Sequence, residues 1–467
     1  MIQPMIFLNQ HKKFTEHYDD FFWWGSANMS PSMVYTSLQG GVFPIELRGS
    51  FAFVYIQDDN NYWACVNHLA ETPLFVTDTG KIFHNLSEWL KDIIHPMKEP
   101  YYKVKNGVYE LQRSMFGFCY AIGEHTPYDD IVTVKPEHYI HNGVQHRYSD
   151  IARPKGYAWD GDLYKQLLDK SVKSYIHGWP TNHHYKIQGG HNMLFSSGRD
   201  SAIVASSLAQ QQLHKYVEFY TITHKKGKHN EFQDAVVNAE ELGITPVNVQ
   251  ANIDPPAFDP PIEYEFNDSS WLVKYQTLNR HEIMGTIITG EVGNIISYGE
   301  AGKRLSYYIN RYEDWKAEEI ASMMCSHVEN FKTTTLNCSS FSDQFERDEV
   351  MAEMAWKRIV DDVQETLDRW GFWTSNDQQY QRNCLVNVGA LHHKVFRLRG
   401  YSTDDKRDYF HPLADYYVME YTLGLDYSER EKHGCEKWLY RRAYEGKGPF
   451  AKSAWNNQVR GLGIKCE

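Results

Sequence analysis

Apolar and polar residues follow two different patterns along the chain. Over residues 1–150, short apolar runs alternate with turn sequences, which predicts antiparallel strands joined by hairpins. ELRGSFAFVYIQ, residues 46–57, alternates as a half-buried strand does, and DDNN turns the chain back into YWACVNHL, residues 62–69. Further hairpins are predicted to turn at residues 78–80 and 142–143. The first third of the chain is therefore predicted to be rich in β-structure.

The second pattern begins after a break rich in proline and glycine, SDIARPKGYAWDGD. Strand-like segments (HNMLFSS, YVEFYTITH, TPVNVQA and MGTIITG) then alternate with helix-like ones such as SAIVASSLAQQQ and NEFQDAVVNAEELGI. This alternation predicts a doubly wound α/β domain, with a parallel sheet and helices on both faces. Beyond about residue 305 the sequence is helical and irregular. We predict two domains, residues 1–155 and 156–467.

Composition narrows the class of protein. The 467 residues include 42% hydrophobic and 23% charged residues, as in an ordinary globular protein. A net charge of −12 argues against nucleic acid as a partner, because phosphate contacts need a basic surface. Seven scattered cysteines without a CxxC motif indicate reduced thiols, and no run of about 18 apolar residues predicts a membrane span. These features predict a cytoplasmic protein with no membrane partner.

Residues 194–201, LFSSGRDS, carry the candidate chemistry. A strand leads into this loop and a helix follows it, and the N–H groups of such a helix N-terminus favour an anion. Three serines, at positions 196, 197 and 201, add hydroxyl donors. No lysine follows Gly198 as in a Walker loop, and Asp200 would repel phosphate unless a divalent cation lay between them. The loop therefore predicts a site for pyrophosphate and Mg²⁺; the alternative is a plain strand-to-helix turn.

SSGRDS resembles the SGGxDS loop of the ATP pyrophosphatases, and other segments resemble the asparagine synthetase family, which includes β-lactam synthetases and lasso-peptide cyclases. The family's D-E-x-x-x-A helix is similar to NEFQDAVVNAEELGI, and its SGEGADELFGGY turn is similar to ITGEVGNIISYG. Its E-x-R-x-P-F-L-D segment is similar to DYFHPLADYYVMEYTLGL, and its K-x-x-L-R-x-A helix is similar to EKWLYRRAYEG. LRGSFAFVYIQDDNNYWACVNHLAETPLFV is similar to the glutaminase domain's LxGxFAFxxYD…RDxLGxxPLY. The resemblance spans residues 40–455 in collinear order. It implies an α+β, Ntn-hydrolase-like β-sandwich domain followed by an α/β PP-loop synthetase domain.

The resemblance also implies a set of site residues. The nucleotide and pyrophosphate would be bound by Ser196, Ser197, Gly198, Arg199, Asp200, Ser201, Thr221, Ile222, Thr289 and Gly290. Mg²⁺ would be bound by Asp200 and Asn294, although Asn294 stands where the family has aspartate and contributes no charge. Glu291 would face the acceptor carboxyl. The lysine that stabilises the transition state in the family has no obvious match, and Lys452 is our candidate, with Arg460 as the alternative.

The N-terminal segment departs from the glutamine-dependent members of the family. Ile2 stands where those members have a cysteine nucleophile, and the nearest cysteine, Cys65, lies within a predicted strand. We therefore expect no glutamine hydrolysis by the first domain.

The predicted function is that of an AMP-forming amide ligase that uses ATP and Mg²⁺. It would adenylate a small-molecule or peptide carboxylate and couple it to an amine, either in asparagine synthesis or in an intramolecular amide closure. Two alternatives are an ATP-binding member that has lost its chemistry and an enzyme that adenylates a carbonyl other than a carboxylate. A homodimer is compatible with the resemblance.

Overall fold

The computed structural model describes the following residues: 16–18, 20–58, 61–77, 80–83, 126, 131–177, 190–196, 198–223, 231–251, 269–293, 316–324, 349–388, 407–430 and 438–444.

The first part of the chain forms two antiparallel sheets. The described residues there form the strands β1 (Glu16–Tyr18), β2 (Phe21–Ala27), β3 (Gly49–Asp58), β4 (Asn61–Val66), β5 (Phe75–Thr77), β6 (Ile82–Phe83), β7 (Ile131–Thr133), β8 (His138–His141) and β9 (Val144–Arg147). One sheet has the order β1-β2-β3-β4-β8-β9 and the other the order β6-β5-β7. The predicted hairpins β3–β4, β5–β6 and β8–β9 are confirmed. Asn142 and Gly143 both have positive φ, 53° and 82°, as a two-residue hairpin turn requires.

Strand β3 is buried on both faces, so the prediction of a half-buried strand was wrong. Phe51 and Phe53 pack on one face with Val34 of helix α1 (Pro31–Gln39). Ala52 and Val54 pack on the other face, in a cluster that reaches the second sheet. The alternation in this strand is between large and small apolar residues rather than between apolar and polar ones. Such a pattern fits a strand between two packed layers.

The second part of the chain contains the predicted parallel sheet. Its strands are β10 (His191–Leu194), β11 (Val217–Thr223), β12 (Val247–Gln250), β13 (Gly285–Ile288) and β14 (Arg407–Phe410), and all their pairings are parallel. The helices that accompany it in the described part of the chain are α2 (Gly161–His177), α3 (Arg199–Gln210), α4 (Glu231–Glu241) and α5 (Ser269–Arg280). Met193 faces α3 and α4, whereas Ile287 faces α5 on the opposite side. Helices thus cover both faces, as predicted for a doubly wound sheet.

The strand order places a crevice at the centre of this sheet. The order is β12-β11-β10-β13-β14, so the chain moves outward from β10 in one direction, returns, and continues on the other side through β13. Ligands in doubly wound sheets bind beyond the carboxyl ends of the strands at this reversal. The two loops that meet there follow β10 and β13, and both contain predicted site residues.

Further helices follow β13 in the chain: α6 (Ala317–Met324), α7 (Glu349–Trp370), α8 (residues 378–388), α9 (Tyr416–Gly424), α10 (Tyr427–Arg430) and α11 (Trp438–Tyr444). The short segment before α9 contacts the antiparallel part of the chain, where His68 Nε2 lies 2.8 Å from the Ala414 carbonyl oxygen. Helix α11 packs on α2. Among the described helices, none is long and apolar enough to cross a membrane.

Candidate functional site

The loop between β10 and α3 is held together by two serines. The hydroxyl groups of Ser196 and Ser201 lie 3.0 Å apart, and the Ser196 amide donates to Ser201 Oγ at 3.1 Å. The Gly198 amide donates to Ser196 Oγ at 3.1 Å. These bonds fix a compact loop before the first turn of the helix. Ser197 lies outside the described residues.

The N-terminus of α3 has the properties of an anion site. Gly198 is its N-cap residue, and no side chain of the described residues caps the helix there. The amide groups of a first helical turn have no acceptor within the helix, and the helix dipole adds partial positive charge. Arg199 and Asp200 occupy this turn, and the Arg199 side chain is buried with 4% exposure. The predicted contact of Arg199 with phosphate stays a prediction.

The loop after β13 packs directly on this helical turn. A Cβ atom on Gly290 would come within 2.5 Å of the Ser201 backbone nitrogen, and one on Gly293 within 2.4 Å of Asp200 Cγ. Such distances leave room for glycine alone. The structure therefore brings together predicted site residues from two loops that lie far apart in the sequence. Asn294, the second predicted metal ligand, lies outside the described residues.

A chain of polar contacts continues from the end of β13. The Thr289 hydroxyl accepts a hydrogen bond from the Glu291 amide at 3.1 Å and lies 2.7 Å from His411 Nδ1. The Glu291 carboxylate forms an ion pair with Lys274 of α5. Both partners are largely shielded from water, with side-chain exposures of 11% for Glu291 and 25% for Lys274. The predicted acceptor-facing carboxylate is thus neutralised by a lysine.

The two predicted residues on β11 point to opposite faces of the sheet. Thr221 is fully buried on the α3 face, and its hydroxyl oxygen has no hydrogen-bond partner among the described residues. Ile222 packs on the other face, in the cluster that contains Ile287. Thr221 can therefore contribute its side chain beneath α3, whereas Ile222 can contribute only backbone atoms to the same place.

Two buried tyrosines lie behind Asp200. Tyr440 of α11 donates a hydrogen bond to the Gly293 carbonyl oxygen at 3.2 Å, and the rings of Tyr164 and Tyr440 are 6.0 Å apart. Burial raises the pKa of both hydroxyls, and the negative charge of Asp200 adds to the rise. Both tyrosines therefore keep their protons at neutral pH. Tyr440 donates its proton to the turn, whereas the Tyr164 hydroxyl has no hydrogen-bond partner among the described residues.

Four of these groups were not among the predicted site residues: Lys274, His411, Tyr164 and Tyr440. Lys274 and Tyr164 lie on helices. The periodicity of a helix predicts only that one of its faces is buried. The sequence did contain an indication of His411. The letters DYFH belong to a segment that resembles the family, and His411 directly follows a strand beside β13. Residues that directly follow neighbouring parallel strands must meet, as Thr289 and His411 do.

A family model described as asparagine synthase matches residues 191–451, more than half of the chain. The chain belongs to the asparagine synthase family. The match begins at β10 and includes both loops of the central crevice. Members of the asparagine synthase family are ATP-dependent ligases, and the family implies a PP-loop α/β domain, in agreement with the parallel sheet. The chain matches no individual curated protein. Lys452 lies one residue beyond the matched range and outside the described residues.

Proposed function

We propose that this member of the asparagine synthase family is an AMP-forming amide ligase. It uses ATP and Mg²⁺ to adenylate a substrate carboxylate, small-molecule or peptide, and then couples the acyl group to an amine. One observation carries the proposal. At the crevice between β10 and β13, a helix N-terminus that no described side chain caps lies beside the carboxylate of Asp200, which is packed under a glycine turn.

The residues of the crevice fit a pyrophosphate group and a divalent cation. Amide groups of the first turn of α3, with the hydroxyls of Ser196 and Ser201, would bind phosphate oxygens. Asp200 would bind Mg²⁺, and we assign Asn294 as the second protein ligand. Mg²⁺ usually takes only one or two protein carboxylates besides phosphate and water. When bound, Mg²⁺ neutralises charge on the leaving pyrophosphate.

The reaction has two steps. A carboxylate oxygen of the substrate attacks the α-phosphorus of ATP, and pyrophosphate leaves with the electron pair of the broken P–O bond. The amine nitrogen then attacks the acyl carbon, AMP leaves with the electron pair of the C–O bond, and the nitrogen loses a proton. Glu291 and Lys274 would line the acceptor side, and Lys452 is our candidate for stabilising charge in the transition state.

We further propose that residues 1–155 form an Ntn-type, glutaminase-like domain without glutaminase activity. Its two antiparallel sheets are compatible with that fold. Cys65 is fully buried in β4, with its Sγ atom 3.6 Å from the Val66 carbonyl oxygen. Burial makes this thiol inaccessible and raises its pKa, so it stays protonated. A cysteine nucleophile must be accessible and ionised. The amine would then be ammonia or part of the substrate.

The decisive experiment measures pyrophosphate and AMP released from ATP and Mg²⁺ across a panel of amino-acid and peptide carboxylates, with ammonia or glutamine present. Asp200→Asn keeps the shape of the side chain and removes its charge. We expect it to lower the rate roughly 100-fold, as losing a key electrostatic group does. The matched control is Asp162→Asn, since Asp162 also lies in the first turn of a helix but is 81% exposed.

Each outcome selects one reading. The ligase is supported if equal amounts of AMP and pyrophosphate are released only when a carboxylate is present. This release should be lost in Asp200→Asn and retained in Asp162→Asn. ATP binding without release for any acceptor would leave an ATP-binding protein that has lost its chemistry. AMP formation with nucleobase or lactam carbonyls, but with no carboxylate, would favour adenylation of another carbonyl.

A further inference from the structure

We propose that Tyr440 is a positioning residue for the cation site. Its hydroxyl holds the Gly293 turn against Asp200 and so sets how tightly the divalent cation binds. The inference rests on the proposed function, because the cation is the one assigned there to Asp200. Tyr440 lies behind the glycine turn and its hydroxyl donates to the backbone of that turn, so its effect on the cation acts through the turn.

Tyr440 is fully buried, and its hydroxyl donates to the Gly293 carbonyl oxygen at 3.2 Å. The two residues are 147 positions apart in the chain, so only tertiary packing brings them together. A buried hydroxyl that lost this acceptor would be costly, which makes the contact persistent.

The position of Gly293 controls the position of Asp200. A Cβ atom on Gly293 would lie 2.4 Å from Asp200 Cγ, 2.6 Å from Oδ1 and 2.7 Å from Cβ. Any movement of the turn toward α3 would displace the carboxylate, and any movement away would release it. The hydrogen bond from Tyr440 fixes the peptide group that carries this contact.

The hydrogen-bond donor, Tyr440, is itself held rigidly. Helix α11 packs closely on the start of α2, where a Cβ on Gly161 would lie 3.5 Å from Ala443 Cα. The Tyr164 ring packs beside the Tyr440 ring at a centroid distance of 6.0 Å. The hydroxyl therefore has little freedom to follow the turn if it moves. Preorganised support of this kind is what holds a metal ligand in a productive position.

The test compares Tyr440→Phe with Tyr444→Phe. Tyr444 is a buried tyrosine one turn further along α11 that lies near Asp169 instead of Asp200. The first readout is the affinity for Mn²⁺ in the presence of a non-hydrolysable ATP analogue, measured by electron paramagnetic resonance titration. The other two are the affinity for the analogue without metal and the melting temperature. We expect Tyr440→Phe to raise the Kd for Mn²⁺ about three- to tenfold. Its affinity for the metal-free analogue should equal that of Tyr444→Phe.

A donor-retaining residue provides the rescue. Replacing Tyr440 by p-aminophenylalanine keeps a hydrogen-bond donor at the ring and should restore Mn²⁺ affinity, whereas p-methoxyphenylalanine has no donor and should not. This pair also answers the question if Tyr440→Phe fails to fold.

Three results would overturn the inference. Mn²⁺ affinity unchanged in Tyr440→Phe, with Asp200→Asn weakened, would refute the role of Tyr440 and leave the proposed function standing. Equal weakening in Tyr440→Phe and Tyr444→Phe would show a general packing effect. In contrast, unchanged Mn²⁺ affinity in Asp200→Asn would refute the cation site of the proposed function, and the role of Tyr440 with it.

Discussion

The α-carbon of Gly290 lies against the backbone of Ser201, so closely that an added methyl group would come within 2.5 Å of the Ser201 nitrogen. At Gly293 the obstructing atoms belong instead to the side chain of Asp200. Backbone atoms of a helical turn cannot move aside as a side chain can. The two glycines of the loop after β13 therefore tolerate different degrees of crowding.

We predict a graded effect for alanine at these glycines. Gly290→Ala should lower the free energy of unfolding by about 3 kcal/mol, and Gly293→Ala by about 1–2 kcal/mol, because overpacking has costs in this range. Urea denaturation measures both. Gly161→Ala is the control, since its methyl group would make an ordinary contact at 3.5 Å. Equal costs at positions 290 and 293 would contradict the difference between backbone and side-chain obstruction.

Ser201→Ala should loosen the loop before α3. The Ser201 hydroxyl contacts Ser196 and also lies 3.1 Å from the Gly198 carbonyl oxygen, so its removal leaves several loop groups without a partner. We expect a loss of about 1–2 kcal/mol in unfolding free energy and weaker ATP binding by calorimetry. Ser206→Ala, in the same helix and equally buried, should leave ATP affinity unchanged. Weaker ATP binding in both variants would point to the helix as a whole.

The Lys274–Glu291 pair should show strong coupling in a double-mutant cycle. Lys274→Met leaves the shielded Glu291 carboxylate uncompensated and should cost about 2–3 kcal/mol, whereas adding Glu291→Gln should recover much of this loss. Urea denaturation of all four proteins gives the coupling energy. The pair between Lys165 and the 81% exposed Asp162 is the comparison and should couple by less than about 0.5 kcal/mol. Similar coupling in the two pairs would contradict the shielding of Glu291.

Stability should depend on pH through Glu71, at the contact between the two parts of the chain. Burial, reinforced by the charge of Asp415, raises the pKa of Glu71 from 4.5 to about 7, although a hydrogen bond from Ser50 opposes the shift. The folded state therefore binds more protons than the unfolded state between these values. The free energy of unfolding falls as the pH rises through this range.

Glu71→Gln removes this titration. At about pH 8 the variant should be more stable than the parent by roughly 1–2 kcal/mol, less than the full shift implies because Glu71 keeps some contact with water. The advantage should disappear as the pH falls toward 4.5. Melting temperatures across this range provide the measurement, and Glu46→Gln, at an exposed position of the same domain, is the control. An advantage that is independent of pH would contradict the assignment.

Much of the fold could be predicted from local patterns. The order of strands and helices around β10 follows from periodicity, and the turn at Asn142-Gly143 follows from residues that accept positive φ. The burial of β3 could not be predicted in the same way. Phe51 and Ala52 differ in size rather than in polarity, so the pattern does not reveal that a second layer covers the smaller side chains.

Site residues could be predicted within the loops that follow β10 and β13, because both loops lie in segments that resemble the family. Ser196 to Ser201 form one loop whose predicted chemistry follows from its residue types, and the structure places its described residues together and against Gly290. The partners that Glu291 and Gly293 acquire depend on which helices pack on the sheet edge. Lys274 and Tyr440 reach them from elements that no spacing rule connects to the loop. Such contacts are properties of tertiary packing.

The pairing of β10 with β13 has a consequence for the order of events during synthesis. His191 pairs with Thr286, so the crevice cannot exist when the first half of the sheet leaves the ribosome. The strands β10, β11 and β12 are synthesised before β13. The pairing of β10 with β13 joins residues far apart in the sequence, and such pairings form slowly. Nucleotide binding by a nascent chain would therefore begin only after the segment that follows β13 has emerged.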